Sequence, residues 1–182
     1  MVDQCYDGQH CEIVRAMFTV ELVSTQIISD VEKQTDMGMS SILVAVQGAP
    51  SDREAVKLAC GLLDSRNSKL HIVHVIEVAR EFHIDAEIAS AANKGEHILK
   101  QMEDLATLHK CRPEAKLVQA RQAGLAVVRE AVEKNVDTIV LGVPYRKRFG
   151  DFTLGETTSY VLENAPCCVI LWRESTTPHY TE

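Results

Sequence analysis

Several features that would define a class of function are missing from this sequence. No stretch of about 18 apolar residues occurs, so we expect no direct insertion into a membrane. The first residues are acidic and polar, so we expect no secretory signal. Nineteen Lys and Arg stand against 26 Asp and Glu, a net charge of −7. Proteins that bind nucleic acid normally carry a basic surplus, so we expect no nucleic-acid partner.

A disulfide framework is also missing. The cysteines follow no framework spacing, and Cys60 and Cys168 fall in a helical and a strand pattern, as small buried hydrophobes do. This favours a reducing, cytoplasmic setting. Cys5, His10 and Cys11 could supply three metal ligands, but no fourth ligand stands nearby, so we predict no metal site.

The sequence lacks a recognisable catalytic constellation as well. No nucleophile stands at a known spacing from a His and an Asp, and no lysine follows a glycine loop as in P-loop proteins. Lys147 lies between Arg146 and Arg148, a basic triplet that indicates attraction of an anion rather than catalysis. Cys167 and Cys168 are adjacent on a predicted strand and would point to opposite faces, which disfavours a redox pair. We therefore predict that the protein is not an enzyme.

What the chain does contain is a regular alternation of apolar runs and amphipathic helical patterns. The predicted strands cover residues 42–46, 70–78, 116–120, 138–141 and 167–172, and the predicted helices cover 51–63, 86–110, 124–135 and 156–164. This order predicts an α/β fold, a five-stranded parallel sheet that is doubly wound, with helices on both faces.

Three local signals refine this assignment. Ser51 and Glu54 have the spacing of a capping box, which predicts the start of the first helix at Ser51. Gly95 predicts a kink in the second helix. His71 and His74 stand three apart on a strand, so we expect them on opposite faces, isolated at the strand surface.

The sequence divides into an N-terminal extension (1–40), an α/β domain (41–174) and a polar tail (175–182). The extension has the pattern of an amphipathic helix, with its apolar face formed by Ile13, Met17, Val20, Ile27 and Val31. Two alternatives stay open for this helix: it offers a contact surface to a protein partner or second subunit, or it folds back on its own domain.

Residues 137–172 combine a strand, a glycine-bearing basic loop, a helix and a second strand. Parallel sheets bind ligands at the carboxyl ends of their strands, where the strand order reverses. The loops after the first and fourth strands are polar and contain glycine, so we predict that they form two walls of a crevice. A glycine loop before a helix N-terminus can hold an anion, which predicts a phosphate site. The alternative is a long β-α connection in which the glycines serve as turns.

Four segments together resemble the universal stress protein family, between Ile42 and Arg173: ILVAVQGAPSDREAVKLA, LHIVHVIEV, AGLAVVREAVEKNVDTIVLG and LGETTSYVLENAPCCVILW. The resemblance implies the family's five-stranded α/β fold, which is of the adenine nucleotide alpha hydrolase-like type. It also implies ATP or AMP as a ligand. It further implies a homodimer, formed when the last strand, Cys168 to Trp172, pairs antiparallel with its copy.

The resemblance extends to a phosphate motif that is altered in this chain. ATP-binding members carry Gly-x2-Gly-x9-Gly-Ser/Thr, a spacing that here begins at Gly142 and reaches Gly155. Tyr145 replaces the second glycine, Glu156 replaces the Ser or Thr, and Gln47 stands where ATP-binding members usually have Asp. A bulky side chain and a negative charge at these places would hinder a phosphate.

The predicted ligand-binding residues lie at the ends of the strands and in the motif. They are Val46, Gln47, Gly48, Val75, Leu141, Gly142, Val143, Pro144, Arg146, Arg148, Gly155, Glu156 and Thr157. Three possibilities stay open for the crevice: ATP or AMP, another small anionic ligand, or no ligand at all.

The predicted function is that of a dimeric regulatory domain with an adenine-nucleotide-type crevice and an altered phosphate motif. One alternative is an interaction module that binds no nucleotide because Tyr145 and Glu156 block the crevice, and that works through its dimer surface and N-terminal helix. The other is a soluble regulatory domain related to the stress-protein domains attached to amino-acid permeases, which the Gly-Glu-Thr segment at Gly155 also resembles.

Overall fold

The computed structural model describes residues 39–63, 68–81, 83, 89–145, 147–148 and 151–174. Four sequence predictions lie outside these residues: the amphipathic helix of the extension, the ligand set at Cys5, His10 and Cys11, the polar tail, and the role of Arg146.

The described elements alternate between strands and helices. They are β1 (Ser41–Val46), α1 (Pro50–Leu62), β2 (Lys69–Glu77), α2 (Ala89–Leu108), β3 (Pro113–Ala120), α3 (Ala123–Glu133), β4 (Thr138–Val143), β5 (Lys147–Arg148), β6 (Asp151–Phe152), α4 (Glu156–Asn164) and β7 (Cys168–Arg173). Five strands form a parallel sheet in the order β3-β2-β1-β4-β7, and β5 pairs with β6 in a small hairpin. The predicted α/β fold is confirmed, whereas the hairpin was not predicted.

The two faces of the sheet carry separate hydrophobic cores. Ile42, Val44 and Val46 of β1 point into one core, and Leu43 points into the other, as the two-residue period of a strand requires. The first core is covered by apolar residues of α1 and α2, and the second by those of α3 and α4. The strand order reverses between β1 and β4, so this boundary is the switch point where such sheets bind ligands.

Several local predictions need correction. β3 begins at Pro113, three residues before the predicted start, because an edge strand tolerates a first residue without an N–H. Leu108, the last residue of α2, is 81% exposed although the periodicity of residues 86–110 predicts it on the apolar side of the helix. Gly95 has a packing role: a Cβ there would lie 2.6 Å from Leu117 Cδ1 and 2.8 Å from His74 Cδ2. Glycine therefore allows α2 to approach β2 and β3 closely.

Gly142 was predicted to end the fourth strand, but β4 continues through it to Val143. A Cβ at Gly142 would lie 2.7 Å from the carbonyl carbon and oxygen of Ser51 and 2.9 Å from the amide nitrogen of Asp52. These are backbone atoms in the first turn of α1. The glycine therefore lets β4 and α1 meet at van der Waals distance, whether or not a ligand binds.

Replacement of Gly142 by alanine tests this packing role. We expect Gly142→Ala to lower the free energy of unfolding by about 1–3 kcal/mol, because the new methyl group would have to displace backbone. A Cβ at Gly61 in α1 would meet nothing within 4 Å. Gly61→Ala is therefore the matched control, and we expect it to raise the free energy of unfolding by about 0.5–1 kcal/mol. Equal stability of Gly142→Ala and the wild type, measured by urea unfolding, would contradict the packing role.

Candidate ligand-binding crevice

The loop after β1 is organised by one carboxylate. Oδ2 of Asp52 accepts hydrogen bonds from the backbone N–H groups of Gln47 (2.7 Å), Gly48 (2.7 Å) and Ala49 (2.9 Å). Successive N–H groups that converge on one point form an anion-binding nest. In this protein the nest is occupied by the protein's own side chain, so the conformation of the loop depends on Asp52.

The position of Asp52 follows from where α1 begins. The helix starts at Pro50 with Ala49 as its N-cap, and the N–H of Asp52 donates to the carbonyl of Ala49 (3.0 Å). The predicted capping box of Ser51 and Glu54 is therefore wrong. Ser51 is buried, and Glu54 pairs with Lys57 at 2.7 Å on the helix surface. Proline at the first helical position fixes the earlier start, since its missing N–H has no helical partner to lose.

Asp52 is fully buried, and its second oxygen, Oδ1, has no hydrogen-bond partner among the described residues. Burial raises the pKa of this carboxyl group above its ordinary value. The three N–H groups, together with the nearby His74, act in the opposite direction. The proton is therefore held more tightly in the folded state than in the unfolded chain.

His74 lies beneath the same loop. Its Nδ1 is 2.8 Å from the carbonyl oxygen of Val46, and because a carbonyl accepts, Nδ1 carries the proton. His71 and His74 do point to opposite faces, as predicted, but the prediction that they lie at the strand surface is wrong. They are 5% and 9% exposed, respectively. His74 thus ties the end of β1 to β2.

A small crevice opens at the switch point. Its volume is about 60 Å³, and it includes six of the predicted residues: Val46, Gln47, Val75, Leu141, Gly142 and Thr157. Four further residues complete it: Ala45, Val73, Ala123 and Val127. The end of β1 with Gln47 of its loop therefore meets β4, β2, α3 and the first turn of α4 at one place, whereas Pro144 and Tyr145 of the loop after β4, which was predicted to form a wall, do not line the crevice.

A second cavity of about 70 Å³ adjoins the crevice and shares Ala123 and Thr157 with it. Its lining includes two carboxylates, Glu77 and Glu156. Oε1 of Glu77 accepts the N–H of Ala123 at 2.7 Å, so this side chain already satisfies the N-terminus of α3. Glu156 occupies the first turn of α4. Negative charge therefore stands at both helix N-termini that face this cavity.

Tyr145 does not line the crevice or the second cavity. Its ring stacks on Phe152, with centroids 5.6 Å apart and an interplanar angle of 12°. The guanidinium of Arg173 lies over both rings, 5.2 Å from the centroid of Tyr145 and 5.8 Å from that of Phe152. The N–H of Tyr145 donates to Oε2 of Glu174 at 3.3 Å. These contacts of Tyr145 hold the loop after β4 against the end of β7.

Some predicted residues are not brought into the crevice. Val143 is buried at the end of β4, and Pro144 precedes the stacked Tyr145. Gly48 and Gly155 adopt φ angles of 90° and 84°, the left-handed region that glycine tolerates, so their role is conformational. Arg148 belongs to β5, and its side chain is outside the description.

The sequence prediction missed Asp52, Glu77 and Ala123. Asp52 carries a readable signal, because an acidic residue at the third position of a helix that starts with proline is placed to accept its N-terminal amides. Glu77 and Ala123 are 46 positions apart and meet only through the fold.

Comparison with known proteins places this arrangement in a class and then in a family. A parallel sheet with helices on both faces and a crevice at the β1/β4 switch point defines the class of doubly wound α/β folds. The pattern of the universal stress protein family matches residues 39–173, so the chain belongs to that family. Universal stress protein A homolog 2 of Coxiella burnetii is 27% identical over 137 residues, which are 72% of this chain and 93% of that protein.

Two solved structures show the same fold. A universal stress protein in complex with cAMP superposes with a TM-score of 0.58 at 20% identity, covering 75% of this chain and 98% of that one. The universal stress protein from Archaeoglobus fulgidus in complex with dAMP gives a TM-score of 0.57 at 18% identity, covering 74% and 98%.

Two further features, a cluster of metal ligands and a membrane-spanning helix, are not found among the described residues. Within these residues, no three His, Cys, Asp or Glu side chains come together as metal ligands would. None of the described helices is long and apolar enough to cross a membrane.

The buried carboxyl group predicts a pH dependence of stability. Because the pKa of Asp52 is raised in the folded protein, the folded state binds the proton more tightly than the unfolded state, whose pKa is about 3.9. The stabilisation that the Asp52 carboxyl group contributes is therefore fully present below about pH 4 and is lost as the pH rises through its folded-state pKa. In the variant Asp52→Asn an amide replaces the carboxyl group, and this amide cannot ionise.

We expect the unfolding free energy of the wild type, minus that of Asp52→Asn, to decrease from about pH 4 upward and then to level off. Urea unfolding at a series of pH values measures this difference. Asp104→Asn, which removes an exposed carboxylate of α2, is the control for loss of charge alone. A difference that grows as the pH rises would contradict the raised pKa.

Proposed function

We propose that this protein is a regulatory, non-catalytic domain that binds an adenine nucleotide of the AMP type in the crevice between β1 and β4. One observation carries the proposal. Six residues from four separate segments, chosen from the sequence for ligand binding, line one crevice at the switch point of the sheet. The two solved relatives support the ligand class, because their complexes contain cAMP and dAMP, which are nucleoside monophosphates.

The charges around the crevice favour a monophosphate over a triphosphate. The nest after β1 is filled by Asp52, the N-terminus of α3 by Glu77, and the first turn of α4 contains Glu156. Two like charges 4 Å apart in water repel by about 1 kcal/mol, and more in a partly buried site. Each additional phosphate adds negative charge to a region where these carboxylates already stand.

The size of the crevice defines what binding requires. Sites for small ligands usually have volumes of about 300–1,000 Å³, whereas this crevice has about 60 Å³. A nucleotide would enter only if the crevice and the adjoining cavity widened into one space. Their shared wall contains Ala123 and Thr157, at the first turns of α3 and α4, so movement of these two helix ends would join them.

The same small volume supports a second candidate function. In that case the domain binds no nucleotide and acts as an interaction module through its exposed surfaces. Tyr145 then has a structural role only, because its ring lies on Phe152 and outside the crevice.

Titration calorimetry with AMP, cAMP and ATP separates the two candidates. We expect the monophosphates to bind more tightly than ATP. Glu156→Gln should strengthen ATP binding about fivefold relative to AMP, because it removes a charge worth about 1 kcal/mol from the cavity. Glu163→Gln removes a charge from the exposed end of the same helix, and we expect no such change.

Absence of heat with all three nucleotides would contradict the proposal and favour the interaction module. Equal effects of Glu156→Gln and Glu163→Gln would place the ligand elsewhere.

We further propose a homodimer through β7. The two edges of the sheet differ: β3 carries Pro113, Glu114 and Lys116, which discourage pairing, whereas β7 has no charge between Cys168 and Trp172. The N–H groups of Cys168 and Glu174 donate to the β4 side, at Asp137 and Val143, respectively. Successive N–H groups along a strand point to opposite sides, so the N–H groups of Val169 and Leu171 point to the open edge of the sheet.

Val169→Pro tests the dimer with little change to the β4 pairing, because it deletes an N–H that faces the open edge. We expect light scattering at micromolar concentration to give a dimer for the wild type and a monomer for Val169→Pro, with unchanged circular dichroism. A monomeric wild type would contradict the proposal.

A further inference from the structure

Two thiols from distant parts of the sequence meet at the amino-terminal end of the sheet, far along the strands from the crevice. The Cys111 thiol lies 3.9 Å from the carbonyl oxygen of Cys60 and 3.8 Å from that of His109, within hydrogen-bond reach of both. Cys60 lies in the last turns of α1, and Cys111 follows α2. Both are free and only partly buried. They are 51 residues apart in sequence.

The backbone holds Cys111 in place. The N–H of Lys110 donates to the carbonyl of Thr107 (2.9 Å), and the N–H of Cys111 donates to that of Ala106 (3.0 Å). With Lys110 at a φ of 63°, this is a Schellman motif, the standard end of a helix. The Cys111 sulfur thereby lies between the carbonyl of Cys60 in α1 and that of His109.

The surroundings of the two thiols are open and cationic. Cys60 and Cys111 line a surface cavity of about 520 Å³ together with His109, Lys110 and Arg112, which are exposed. The positive charges of Lys110 and Arg112 attract anions to this cavity and raise their local concentration. Cys167 and Cys168, the other free cysteines of the described residues, are adjacent on the chain.

We propose that Cys60 and Cys111 form a dithiol site that exchanges with small anionic disulfides and closes to a Cys60–Cys111 disulfide. Disulfides of acidic low-molecular-weight thiols fit the cationic cavity and act as the oxidant. This site is independent of the nucleotide crevice.

The raised pKa of Cys60 determines which of the two thiols attacks the small disulfide first. Burial, with a further contribution from the Cys111 thiol, raises the pKa of Cys60 to about 12, so Cys60 stays protonated at neutral pH and does not attack first. The Cys111 thiolate attacks one sulfur of the disulfide RSSR, forms a mixed disulfide and releases RS⁻. Cys60 then loses its proton to solvent and attacks the Cys111 sulfur, which releases the second RS⁻. In total two protein thiols lose two protons and two electrons, and RSSR becomes two RSH.

Peptide mapping of the full chain tests the site. The reduced protein is incubated with glutathione disulfide, which is anionic, or with cystamine, which is cationic. Free thiols are then alkylated, and linked peptides are identified by mass spectrometry. We expect a Cys60–Cys111 link as the main product, formed about tenfold faster with glutathione disulfide than with cystamine. Cys168→Ser should leave this product unchanged, whereas Cys111→Ser should abolish it.

A second experiment measures whether the Cys60–Cys111 disulfide forms without strain. A disulfide that closes a loop of this length without strain should raise the thermal midpoint of the wild type by about 5–15 °C, and a reductant should reverse the rise. Absence of the link, links mainly to other cysteines, faster reaction with cystamine, or a lowered midpoint would each overturn the proposal. In those cases the Cys111 thiol serves only to satisfy the carbonyl of Cys60 at the end of α1.

Discussion

The hydrogen bonds from three backbone N–H groups to the Asp52 carboxyl group determine the shape of the ligand-facing end of this fold. They fix the loop that follows β1, the central strand of the sheet. The opposite end of β1 is held in a similar way, since Oδ2 of Asp137 accepts the N–H groups of Ser40 and Ser41, each at 2.9 Å. Both ends of the strand around which the sheet is ordered are thus fixed by side-chain carboxyl groups from other elements. Gly142 then lets β4 pack against the helix turn that carries Asp52.

This constraint changes the electrostatic character of the crevice. Helix N-termini and loops with converging N–H groups normally attract the phosphates of a ligand. Here Asp52 and Glu77 accept N–H groups at two such places, and Glu156 adds a charge at a third. The sequence predicts that the negative charge of Glu156, within the motif, hinders a phosphate. The occupied nest instead lies in the loop after β1 and is filled by Asp52, a residue outside the motif.

Whether a feature of this structure can be predicted from the sequence depends on how far apart along the chain the interacting residues lie. The bounds of α4, Glu156–Asn164, are those predicted, because a glycine before the helix and a proline after it mark both ends locally. The continuation of β4 through Gly142 was not predicted, because it depends on contact with Ser51, 91 positions earlier in the chain. Five of the six predicted ligand residues in the crevice lie at or near the ends of strands, whose position follows from the fold class, and the sixth, Thr157, lies in the first turn of α4. The partners of Tyr145 depend on a hairpin that has no periodicity long enough to detect.

The Tyr145 substitution connects the crevice to the edge of the sheet. Where ATP-binding relatives have glycine, this chain has a ring that stacks on Phe152 under Arg173, and a backbone N–H bonded to Glu174. Aromatic stacking and a cation–π contact each contribute about 0.5–1.5 kcal/mol, so widening of the crevice that moved this loop would be opposed by a few kcal/mol. Arg173 and Glu174 stand at the end of β7, the strand proposed to pair with its copy. If β7 pairs with its copy as proposed, its ordering would also hold the loop after β4, so the proposed dimer and the closed crevice would stabilise each other. A ligand that opened the crevice would have to overcome both, and this coupling would give the proposed regulatory domain a physical means of reporting ligand binding at its dimer surface.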